Sequence, residues 1–442
     1  MTSACNSGRA FRVAAAFLLL AGSVRVGAAE LPPLPEPLTL EYALSLAEEP
    51  HPSLALAGAG LDASRAALAM VEARTDLTIT AEGRARWVEP PDTAPNQDSD
   101  DHKASLYVRK NLYDFGRTSA FRSAAQAGVA RAESLYQDTL AQRRVDIMQR
   151  YFDVLLADLD FSREDEAMAV VYVGLDRLRQ RHELRQVSDV ELLAAEAEYQ
   201  RVRRSRYAAE ARQRLTRAAL ADVLNRPGQL PAALARPSLD ARLNRPIPEV
   251  EVLQQAALAS NPVLVGLRHQ VHAAQEHVTA ARAERRPRLN GELEASRYSR
   301  ELNSNDEWRA GVVLELPLYT GGLVSSVVSQ RQAELYQAQQ RLREAEMAVQ
   351  HNVLELWLHL QTLKIQREEA DAGVNHVELY LDRSRTLYEL EFKADLGDAM
   401  VRLTEAESAT LRADYEMVLA WARLDALTGG PVQIAQGAAE AP

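Results

Sequence analysis

Residues 78–88, TITAEGRARWV, alternate strictly. Ile79, Ala81, Gly83, Ala85 and Trp87 share one face, and Thr78, Thr80, Glu82, Arg84 and Arg86 share the other. A period of two is the signature of a β-strand. SLYVRKNLY (105–113) sets Leu106, Val108 and Leu112 against Ser105, Tyr107, Arg109 and Asn111, with Lys110 interrupting the apolar side. RLNGELEASRYS (288–299) separates Leu289, Gly291, Leu293 and Ala295 from Asn290, Glu292, Glu294 and Ser296. WRAGVVLEL (308–316) separates Trp308, Ala310, Val312, Leu314 and Leu316 from Arg309, Gly311, Val313 and Glu315. Four strands are therefore predicted, over 77–89, 104–114, 288–299 and 307–318.

Such alternation has two uses. A soluble antiparallel sheet turns its apolar side to a core, whereas a membrane barrel turns it to lipid and its polar side to a lumen. Trp87 and Trp308 lie near strand ends, as an aromatic girdle requires, and the connections EPPDTAPNQDSDDHK (89–103) and SRELNSNDE (299–307) are polar and acidic. Both features favour the barrel. Spanning barrels have at least about eight strands and no open edge, so four strands require further chains to close.

Each strand pair ends in a similar stretch, LYDFG (112–116) and LYTGG (318–322), after which a long tract without proline begins. Proline is absent between Pro95 and Pro227 and between Pro317 and Pro431, and both tracts are rich in Ala, Leu, Glu, Gln and Arg. These are strong helix formers. A continuous helix from Arg117 to about Arg185 would be roughly 100 Å long at 1.5 Å per residue. Met148, Tyr151, Phe152, Leu155 and Leu156 recur at helical spacing, the seam of a helix packed lengthwise on others. Each tract turns once. Ser188 with Glu191 three residues on has capping-box spacing, and Asp395 and Asp398 hold the corresponding positions, with Gly397 loosening that turn. Two helical hairpins follow, 117–226 and 322–428. Gly116 and Gly322 permit the change of direction at the strand-to-helix crossings, which also include Tyr113 and Tyr319, and Pro317 removes an amide where the ladder has ended.

The order of elements repeats. Tyr113 and Tyr319 are 206 residues apart, Ser188 and Asp395 are 207 apart, and EEPHPSLALA (48–57) answers ASNPVLVGL (259–267). Together with the proline-rich linker at 226–248, this divides the chain into an internal duplication, 30–238 and 239–442.

The first 29 residues read as a signal peptide. Arg9 and Arg12 precede the apolar run VAAAFLLLAG, and VGAAE offers small residues for cleavage near Ala28 or Ala29. The single cysteine, Cys5, would leave with it. Beyond residue 30 no run of about 20 apolar residues is expected. A formal charge of −11 argues against a general nucleic-acid binder. No nucleotide loop, nucleophile elbow or zinc-protease motif occurs, so no enzyme activity and no cofactor are expected. His269, His272 and His277 share one predicted helix, and the first two could lie on one face, but they read as solvated rather than as metal ligands.

The chain resembles the TolC-like outer-membrane efflux proteins over residues 38–430. The resemblance is carried by the duplicated LYDFG and LYTGG crossings, the helix pairs containing HPSL and NPVL, the stretch VSDVELLAAEAEY (187–199), and the terminal ALADVLN and ARLDALTG. It implies an α+β membrane protein. Four strands per chain would build a 12-stranded β-barrel in a homotrimer, and the long hairpins would build a trimeric α-barrel reaching into the periplasm, with the linker in a belt around it. It further implies partnership with a periplasmic adaptor and an inner-membrane transporter, contact with outer-membrane lipid, and a channel gate at the periplasmic tip.

By position, the gate carboxylates are Glu191 and Asp398, with Asp395 an additional acid one turn earlier. Glu191 and Asp395 could equally serve helix starts. The adaptor-contact tips are Arg185, Gln186, Val187 and Ser188 in the first hairpin and Glu391, Phe392 and Lys393 in the second. Family members usually carry a glycine where this chain has Arg185 and Glu391. Three functions are open at this point: an exit duct of an efflux complex, a duct for one-step protein secretion, or a soluble periplasmic coiled-coil scaffold.

Overall fold

A computed structural model describes residues 33–229, 231–300, 305–390 and 396–430. The predicted signal peptide, Cys5 and the tip residues Glu391, Phe392, Lys393 and Asp395 lie outside the described residues. The elements run α1 (Leu40–Ser45), a 3-10 turn (Leu46–Glu48), α2 (Pro52–Ala73), β1 (Thr78–Arg84), β2 (Lys103–Tyr113), α3 (Arg117–Glu183) and α4 (Asp189–Val223). After the linker come α5 (Asp240–Leu243), α6 (Val250–Ser260), α7 (Pro262–Ala283), β3 (Arg288–Tyr298), β4 (Trp308–Glu315), α8 (Leu323–Glu389) and α9 (Leu396–Leu427).

The same local chemistry starts corresponding helices. Asn261 caps α7, accepting from the Leu264 amide at 3.1 Å, and His51 Nδ1 caps α2, accepting from the Ser53 amide at 3.2 Å. Proline follows each cap in the first helical position, where its missing N–H costs nothing. The long helices α3 and α8 are each 67 residues, and each is preceded by a left-handed glycine, Gly116 at φ +94° and Gly322 at φ +85°.

The strands form one antiparallel sheet in the order β1-β2-β3-β4. Its middle is the pairing of Lys103–Tyr113 with Arg288–Tyr298, with a register shift between Asn111 and Tyr113. The bulge falls at Leu112, whose side chain crowds Gly291 opposite, 3.4 Å from where a Cβ would stand there. The outer strands are shorter than expected. β1 stops at Arg84 and continues only as an isolated Trp87–Asp100 bridge, since Pro90 and Pro91 follow; β4 stops at Glu315, two residues before Pro317.

The principal core lies at the belt, where α1, α3, α6, α8, α9 and the linker meet around Ile147, Met148, Phe152, Leu360 and Trp421. Phe152 and Tyr415 stack at 4.4 Å between α3 and α9. The Tyr151 hydroxyl lies 2.8 Å from the Leu38 carbonyl oxygen and 2.6 Å from that of Ala235, tying the first segment and the linker to α3. Asp425 accepts from Arg242 at 3.0 Å and Arg245 at 2.8 Å, tying α5 and the linker to α9.

One expectation is corrected. A window within Leu40–Ala73 is apolar enough by composition to cross a membrane, with mean hydropathy 1.4. Much of that value comes from alanine, and α2 carries Asp62, Arg65 and Glu72 and packs along α3.

Candidate functional site

The sheet gives the molecule two chemically distinct walls. On the polar side, charges are largely paired across strands: Lys103 Nζ lies 2.7 Å from Glu294, and Arg309 and Arg109 lie 3.6 Å from Glu294 and Glu292. On the apolar side, Ile79 is 62% exposed, Leu314 65% and Val312 64%. No described element covers that side. A soluble sheet would bury it. Trp87 and Trp308 are exposed at one end of the sheet, and Tyr113, Phe115 and Tyr319 at the other, which frames the apolar band with aromatics. The outer edges of β1 and β4 are both unpaired among the described residues.

At the first crossing, Phe115 at φ +52° and Gly116 at φ +94° make two successive left-handed steps, and Gly321 at φ +62° with Gly322 at φ +85° makes the same pair at the second. Asp114 Oδ2 accepts from the Thr118 amide at 2.9 Å, which starts α3, and Arg286 donates to the Phe115 carbonyl at 2.8 Å. Sequence reasoning missed Asp114 and Phe115. The pairing of FG with GG in the two repeats was the available signal. Pro317, Tyr319 and Gly322 lie together on the second crossing.

The first hairpin turns through Arg185, Gln186 and Val187. Arg185 sits at φ +57°, its amide donating to His182 at 2.8 Å and the Gln186 amide donating to Arg181 at 2.9 Å. This is the closing pattern that glycine usually occupies. Ser188 and Glu191 then form a complete capping box: the Glu191 carboxylate accepts from the Ser188 amide at 2.9 Å and its hydroxyl at 3.0 Å, while the Glu191 amide donates to Ser188 Oγ at 3.3 Å. These bonds, the backbone one foremost, hold the Glu191 carboxyl below the usual carboxylate range.

Asp398 lies in the first turn of α9 and accepts from Arg402 Nε at 2.7 Å. Arg402, which the sequence reading also missed, rests 5.6 Å from the Tyr380 ring of α8. Gly397 does not loosen a turn. It is helical, and a Cβ there would stand 2.6 Å from Val170 Cγ2, so the glycine sets the approach of α9 to α3. Among the described residues no three His, Cys, Asp or Glu side chains gather as metal ligands; His272 Nε2 lies 3.4 Å from Ser123 Oγ, and His277 packs by Phe121.

A sheet with an apolar face that no described element covers and two edges unpaired among the described residues is set on helices about 100 Å long. Residues 253–430 match the family described as outer membrane efflux protein. The chain is similar to the alkaline protease secretion protein AprF of Pseudomonas aeruginosa, 29% identical over 38% of this chain and 36% of that protein. It is also similar to the outer membrane efflux protein BepC of Brucella suis biovar 1, 25% identical over 41% of this chain and 42% of BepC. The matches thus span about two fifths of these curated relatives. In fold it is similar to the outer membrane protein VceC of Vibrio cholerae, with TM-score 0.71 and 18% identity over 89% of this chain and 97% of that one. The fold is α+β.

Proposed function

We propose that the chain is one third of a trimeric outer-membrane duct that passively conducts small molecules or metal ions out of the cell. The carrying observation is the four-stranded sheet, apolar on one side and, among the described residues, uncovered there and unpaired at both edges. Three copies supply 12 strands, in the range where single barrels close. The repeats 30–238 and 239–442 each contribute one strand pair and one hairpin. The chain performs no catalysis; an inner-membrane transporter supplies energy, and a periplasmic adaptor joins it at the tips, 185–188 and 391–393.

Asp398 is the gate carboxylate this reading favours, with Asp395 in the same tip. Three copies of Asp398 form a ring that attracts cations, and Arg402 beside each one moderates it. The Glu191 carboxylate is engaged in its capping box, which weighs toward a helix-start role. Similarity to AprF favours a second reading, a duct for protein secretion.

Purification in detergent with mass determination and planar-bilayer conductance tests the proposal. Three copies and an ion-conducting channel are expected, with Asp398→Ala raising conductance. A species soluble without detergent would exclude the barrel, and unchanged conductance would remove Asp398 from the constriction. A deletion strain that loses export of a protein but keeps its resistance to toxic small molecules would select the secretion reading.

A further inference from the structure

The described chain contains one complete lengthwise seam, α3 against α9, and the two halves of a second. In-chain contacts across the first are Gly397–Val170, Thr404–Glu166, Arg412–Asp160 and Phe152–Tyr415, an antiparallel register in which facing residue numbers total 567–572. The duplication turns α3 into α8 by adding 206 and α9 into α4 by subtracting nearly the same number, which preserves that total. A second seam of α8 against α4 is therefore encoded. Within the chain, however, α4 packs on α3, and α8 packs on α9, α7 and α6.

Both halves carry the mark of a seam. On α4, Val190, Leu193, Ala197, Tyr207, Ala211 and Leu215 follow a three-four spacing and are all exposed, Val190 at 76%. On α8, Leu354, Leu358, Ile365, Ala372 and Leu379 do the same, Leu379 at 73%. A register total of 569 sets Val190 against Leu379, Ala197 against Ala372 and Leu215 against Leu354. Over that stretch each stripe has one charged residue, Arg204 on α4 and Glu368 on α8. Neither has an ion-pair partner among the described residues. In this register they fall three residues apart, about 4.5 Å along the axis, within reach of an extended guanidinium. The in-chain seam has its own ion pair, Arg412–Asp160 at 3.6 Å, at nearly the same level.

We propose that α4 of one copy packs on α8 of the next in this register, with Arg204 and Glu368 as the polar layer that fixes alignment and restricts the partner to another copy of this chain. The inference rests on the trimeric duct reading. A charged pair in an otherwise apolar seam contributes specificity more than stability, because every displaced alignment leaves one charge buried and unpaired.

The test uses the full chain with Cys5→Ser, expressed in outer membranes, carrying Ala197→Cys with Ala372→Cys. Oxidation is expected to give covalent dimers and trimers, whereas Ala197→Cys with Leu354→Cys, about 27 Å out of register, is expected to give none. In the first background, Arg204→Glu or Glu368→Arg alone is expected to lower cross-linked trimer about tenfold, and the double reversal to restore it. Native trimers by mass that do not cross-link at 197 and 372, or that cross-link equally at 197 and 354, would overturn the register while leaving the duct intact. Cross-linking that ignores both charge reversals would remove Arg204 and Glu368 from the seam. A monomer in detergent would overturn the duct reading and this inference with it.

Discussion

The crossings show how single residues bend this chain. Gly116 and Gly322 have no neighbouring atom within 4 Å of a would-be Cβ, so the penalty for a side chain there is conformational rather than steric. Gly322→Ala is expected to destabilise by about 1 kcal/mol, the usual penalty of the left-handed region for an L-residue, read as a lower Tm in detergent. Arg185 is the converse case: it holds the left-handed position that ends α3, and Arg185→Gly is expected to raise the stability of the tip by up to about 1 kcal/mol. A lower stability would mean that the Arg185 side chain makes a compensating contact. Glu191 predicts a pH dependence. Its carboxyl is lowered from 4.5 by the capping box, so its contribution is full above that value and is lost as pH falls through the lower, folded one. Amide exchange at the start of α4 is expected to accelerate on acidification in the parent and to stay flat in Glu191→Gln, which keeps the hydrogen bonds without the charge. Equal acid sensitivity in both would assign the effect to another group.

Between elements, the approach of α9 to α3 is governed by Gly397. Adding a methyl group there brings it to 2.6 Å and 3.0 Å from the two methyl carbons of Val170, so one helix must move. Gly397→Ala is expected to cost about 1–3 kcal/mol, the range for overpacking, and Gly397→Ala with Val170→Ala to recover most of it in the same thermal melt. No recovery would place the cost elsewhere in α9. This contact also marks where legibility in the sequence ends. The starts of the long helices were readable because glycine and proline punctuate them, and the tip of the first hairpin because a capping box is a local pattern. Gly397 was misread because only its neighbour on another helix, 227 residues away, explains it. Strand ends were overextended for a similar reason: alternation persists through Arg86 and Leu316, but prolines and unpaired edges end the ladder sooner. Arg402 was overlooked because an i,i+4 pair on a helix rich in charge looks like ordinary solvated surface.

At the scale of the whole molecule, the two walls of the sheet decide whether the helices stand on a membrane barrel. Leu314 and Ile79 point to the uncovered side, whereas Thr80 lies on the wall that carries the Lys103–Glu294 pair. In a barrel, an arginine on the lipid side costs about 2–4 kcal/mol near the bilayer centre, while one on the lumen side meets water. Leu314→Arg is therefore expected to deplete heat-stable trimer from outer-membrane fractions, and Thr80→Arg to leave its amount unchanged and alter only conductance. β4 and β1 are the edge strands that the proposed trimer pairs between copies, so on that reading loss at Leu314 would also expose an edge that lipid does not tolerate unpaired. Equal tolerance at both positions would mean that neither wall touches lipid. Equal loss at both would point to a core on each side, which a soluble scaffold requires and a duct with a water-filled exit excludes.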